Sequence, residues 1–63
     1  MKNFPVGCKV VLTAAMRAQA VNPELFEIGT VTREGSYGIY DVQWNGLNRP
    51  IGMREDEIME AGS

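Results

Sequence analysis

The chain has 63 residues, six Lys or Arg against eight Asp or Glu for a net charge of −2, and 44% hydrophobic residues. That size allows one domain, residues 1–63, with a thin core, since so short a chain buries only ~60% of the surface it exposes when unfolded. The composition is too apolar for a disordered chain, shows no basic excess of the kind dedicated nucleic-acid binders carry, and contains no apolar run near the ~18 residues a membrane span needs.

Lys9-Val10-Val11-Leu12-Thr13 follows a short arm, Met1 to Pro5, and reads as the first strand, with Val10 and Leu12 on one face. The next seven residues, Ala14 to Ala20, are helix formers with no β-branched member, and Thr13 is placed to cap them. Asn22-Pro23 ends that helix. Pro23 to Phe26 predicts one further turn, with Asn22 as its cap. So short a helix needs support. Met16, Ala20, Leu25 and Phe26 are therefore expected to pack on the sheet as a lid.

Ile28 to Glu34 is the second strand, Gly35 to Gly38 a hairpin turn, and Ile39 to Trp44 the third strand. Strict alternation there sends Tyr40, Val42 and Trp44 inward and Ile39, Asp41 and Gln43 outward. Asn45-Gly46 is a strong tight-turn signal, and Asn45 tolerates a left-handed backbone. Arg49 to Met53 is a short fourth strand whose Pro50 suits an edge or a first position. Arg54 to Glu57 predicts a 3₁₀-like turn, and Ile58 to Glu60 the last strand before a loose end, Ala61 to Ser63. The fold class is all-β: a small five-stranded barrel with a helical insertion, residues 14–27, between its first two strands.

Val10-x-Leu12 and Gly29-Thr30-Val31, with Val42-x-Trp44-Asn45-Gly46, Arg49-Pro50-Ile51 and Asp56-Glu57-Ile58, resemble SH3-like barrels of the KOW and Tudor kind. In particular they resemble small uncharacterised barrel proteins of bacteriophages and other mobile elements. The resemblance covers about Val6 to Glu60 and departs from the pattern at Asn45, where Asp is usual, and in the insertion. It implies a fold and a habit of binding, and no particular ligand.

Catalysis has little to work with. There is no histidine, so the usual general base and the commonest metal ligand are missing. The single cysteine, Cys8, has no histidine to activate it, cannot form an intramolecular disulfide, and is expected to fill a gap near the first strand. So small a domain without disulfide staples suggests a reducing, cytoplasmic home. The expectation is no enzyme, no cofactor and no metal. One enzymatic alternative is an oligomer with a shared pore, as in the plasmid-borne type II dihydrofolate reductases of this fold class. Their Val-Gln-Ile-Tyr strand is absent, and Asp41-Val42-Gln43-Trp44 shares only its Val-Gln.

The candidate contacts are aromatic and basic. Tyr37 sits at a turn tip between Ser36 and Gly38, suited to packing on a protein or stacking on a base. Arg33, Arg49 and Arg54 flank the turns and, converging with Tyr37, would meet carboxylates or phosphates. Trp44 is also a candidate contact, although alternation assigns it to the buried face. Near-neutral charge favours a protein partner over nucleic acid, which stays the alternative. No membrane is involved, and a homo-oligomer is compatible with an exposed strand edge.

Overall fold

Apolar alternation makes one strand the centre of the structure. A computed structural model describes residues 3–62, and in it Ile39–Trp44, here β3, alternates half-buried and buried positions along its whole length. Met1, Lys2 and Ser63, at the ends of the expected arm and tail, lie outside the described residues.

Four further strands, β1 (Lys9–Leu12), β2 (Gly29–Glu34), β4 (Ile51–Arg54) and β5 (Ile58–Glu60), join β3 in one sheet of order β4-β3-β2-β1-β5. Every pairing is antiparallel. Val31 opposes Val42, and Tyr40 opposes Met53. Direct partners share a face, so one side of the sheet becomes apolar. The register of β2 shifts between Val31 and Arg33. Such a bulge bends the strand and steepens its twist. Thr32, the extra residue, donates its hydroxyl to the Asp41 carbonyl.

The bend lets one sheet wrap a core. Val10, Val31, Val42, Trp44 and Ile58 are all under 2% exposed. Met53 on one outermost strand and Ile58 on the other belong to the same cluster, which a flat sheet would not allow. Burial of each such aliphatic side chain contributes about 1.5–3 kcal/mol. Val10, Leu12, Tyr40, Val42 and Trp44 all lie inside, as the alternation predicts, and Val31 of β2 joins them.

Phe4 is in the core as well, 4% exposed and edge-on to Tyr40 at a centroid distance of 5.4 Å. Phe4 therefore ties the short arm to the core. Gly7 donates to the Val31 carbonyl and Val31 to that of Cys8, so the segment before β1 extends the ladder. Cys8 packs against the core, half-buried, as expected of a gap filler.

The insertion holds a helix, α1 (Ala14–Gln19), and a 3₁₀ turn, Pro23–Phe26. Thr13 caps α1 by accepting from the Met16 N–H at 3.4 Å. The 3₁₀ turn has Pro23 in its first position, but the Asn22 side chain makes no cap; its backbone carbonyl accepts from Leu25 instead. Met16, Ala20 and Phe26 rest on the core as a lid, joined by Leu47 from the β3–β4 connection. Among the described residues, no helix is long and apolar enough to cross a membrane.

Candidate functional site

The β2–β3 hairpin is closed by an unusual choice of residue. Tyr37 has φ +59° and Gly38 φ +72°, and the Ile39 N–H donates to the Ser36 carbonyl at 3.2 Å. Positive φ at both central residues is the signature of a type I′ turn, which suits Asn-Gly. Gly38 fits for a second reason, because a side chain there would run into the Glu55 carboxylate. Tyr37 fits poorly. A left-handed backbone costs a residue with a Cβ about 1–2 kcal/mol, and its ring, 100% exposed, gains nothing from packing within the chain.

Arg54 reaches the same end of the molecule through pairing, since it is the direct partner of Ile39. Tyr37, Gly38, Ile39, Arg54, Glu55 and Asp56 line a hollow of about 510 Å³. The floor is braced: Glu55 donates its N–H to the Gly38 carbonyl, and the Arg54 N–H donates to Glu57 Oε1, both at 2.9 Å. Arg33 is exposed on the strand leading into the turn and opposes Asp41. Asp41 and Ile39 point to one face, so Arg33 and Arg54 project from the same outer side of the sheet. Arg54 itself ends β4, one residue beyond the strand expected there.

The remaining two candidates lie elsewhere. Arg49 is exposed but precedes Ile51, whose partner is Val42, so it sits toward the Trp44 end of β3. The six residues of β3 span ~20 Å and separate it from the hairpin tip. Trp44 is 0% exposed and is corrected to a core residue. It opposes Gly29, packs edge-on against Phe26 at 5.4 Å, and cannot meet a ligand at the surface. The alternation in β3 had already placed it there.

Asn45-Gly46 forms the expected tight turn, the Leu47 N–H donating to the Trp44 carbonyl at 3.1 Å, but neither residue needs the left-handed backbone that Asn and Gly tolerate. Gly46 is needed for close approach: an added Cβ would lie 2.6 Å from the Leu25 Cα, and the Gly46 N–H donates to the Leu25 carbonyl. This contact ties the insertion to the sheet. A second, larger groove of about 620 Å³ lies between the insertion and β4, lined chiefly by apolar side chains. Sequence reasoning missed it, since its walls come from segments far apart in the chain. Among the described residues no group of three or more Cys, Asp or Glu is placed to hold a metal.

No family model matches this chain, and neither a curated protein nor a solved structure matches it.

Proposed function

We propose that the protein is a non-catalytic binding module, an SH3-like barrel of the phage or mobile-element kind acting in the cytoplasm, that engages a protein partner through its β2–β3 hairpin tip. The observation that supports this most is Tyr37: a bulky aromatic, wholly exposed, held on a backbone that disfavours it, beside Arg54. Strain of that sort, where Asn or Gly would be more stable, is best understood as retained for a contact made outside the chain. Tyrosine supplies large contact area for little conformational entropy, and arginine beside it adds directional donors.

The charges around the tip favour protein over nucleic acid. Glu55 and Asp56 share the hollow with the lone Arg54, and Glu34 precedes the turn. Phosphate backbones would meet as much repulsion as attraction there. A protein surface offering an apolar patch beside paired charges suits the tip better.

The deciding experiment is affinity capture from the native host with the full chain, in parallel with Tyr37→Gly, followed by a salt series on what is recovered. The expected result is a protein retained by the wild type, lost with Tyr37→Gly, and only mildly sensitive to salt. Recovery of nucleic acid with a steep fall in binding as salt rises would replace this reading with the nucleic-acid one. Equal capture by both proteins would remove the hairpin tip as the site.

A further inference from the structure

The outer edge of β4 has an order that the partner-binding tip does not explain. The Glu55 N–H donates to the carbonyl of Gly38, directly across from it, which makes that pair hydrogen-bonded. Bonded and non-bonded pairs alternate in an antiparallel ladder. Met53 and Ile51 therefore bond to β3, while Gly52 and Arg54 turn their backbone groups to the open edge. Arg54 is already occupied, its N–H by Glu57 Oε1 and its carbonyl by the Glu57 N–H. Pro50 has no N–H. Gly52 is then the one residue of β4 that presents both a donor and an acceptor outward.

Beside that edge lies the apolar groove. Leu12, Met16, Leu25, Phe26, Ile51 and Met53 contribute to its apolar wall, and it is open to solvent. Ile51 is 38% exposed within it, and Val21 at its rim is 92% exposed. Val21 is almost wholly uncovered by its own chain, and Ile51 leaves more than a third of its surface open.

We propose that the occupant is a second copy of this chain, with the two β4 strands paired antiparallel about a two-fold axis at Gly52. The two glycines exchange their N–H···O=C bonds, and Ile51 of each copy extends over the groove of the other. The charges select this occupant and this register. Arg49 lies three residues before Gly52 and Glu55 three after it. An antiparallel partner centred on Gly52 sets Arg49 opposite Glu55 of the other copy, twice, and Ile51 opposite Met53, twice. No like charges face one another, because Arg54 meets Pro50. A register slipped to centre on Pro50 or Arg54 would lose the free donor at the axis. The arrangement also continues the sheet and covers two edges at once.

Sedimentation equilibrium of the full chain, from micromolar to millimolar, tests this. The expected mass rises from the 7.0 kDa of one chain to twice that value. Gly52→Pro should stay at the single-chain mass with an unchanged circular dichroism spectrum, since the N–H it removes is not part of the β3–β4 ladder. Arg49→Glu should weaken association about tenfold, and adding Glu55→Arg should restore it. A wild type that keeps the single-chain mass at millimolar concentration overturns the proposal. So does a folded Gly52→Pro that associates as tightly as wild type, or a double variant no tighter than Arg49→Glu alone. Should Gly52→Pro fail to fold, the charge exchange decides by itself.

Discussion

Trp44 occupies the space that a side chain on Gly29 would need. The two are direct partners in the β2–β3 ladder, and a Cβ on Gly29 would come within 2.9 Å of the indole Cε3 and closer still to a methyl of Val42. The largest core side chain thus lies across the smallest residue of the neighbouring strand, and the sheet stays tightly coiled around them. Gly29→Ala should therefore destabilise the protein by about 1–3 kcal/mol through overpacking. Urea unfolding measures it. A loss under about 0.5 kcal/mol would mean that the indole moves aside freely.

Tyr37 leads to a prediction of opposite sign. Replacing it by Gly or Asn relieves a left-handed backbone and removes no contact within the hollow's floor. Tyr37→Asn should raise stability by up to about 1 kcal/mol, visible as a higher urea midpoint. Most exposed substitutions change little, so a gain here together with lost capture of the partner would separate a binding role from a structural one. A clear loss of stability would instead show that the ring supports the fold.

Gly46 distinguishes two reasons for a glycine. A left-handed turn would accept Asn, whereas close approach to the Leu25 backbone accepts no side chain. Gly46→Asn and Gly46→Ala should each cost about 1–3 kcal/mol, and both should speed hydrogen exchange in residues 14–26. Near-wild-type stability of the Asn variant alone would assign the glycine to a left-handed turn.

Thr13 holds the start of a helix of only six residues. Thr13→Ala should cost about 1 kcal/mol by freeing the Met16 N–H. Thr13→Ser should retain most of the stability. The same hydrogen-exchange measurement should show faster exchange at Met16 and Arg17, with β3 unaffected. Equal loss in both variants would assign the effect to the threonine methyl and not to the cap.

Much of the fold is legible in local patterns. Alternation in β3, the β-branched runs of β1 and β2, the Thr13 cap and Pro23 each act within a few residues, and each lies where those rules place it. The candidate site is legible only in part. Tyr37 stands out as an aromatic at a turn tip, but its left-handed backbone and its closeness to Arg54 depend on a hairpin and a third strand. Phe4 was hidden because a lone aromatic in a polar arm carries no periodicity, and only Tyr40 across the fold gives it a place to bury.

The chain by itself determined which residues of β1 and β3 turn inward, the order of the strands and where the helical insertion begins, because side-chain periodicity and backbone preference are local properties. Tertiary structure alone decided which arginines reach Tyr37, why Gly29 and Gly46 must lack a side chain, and which groups of β4 stay open. Those outcomes depend on register and on close approach between segments far apart in sequence, which no local preference encodes.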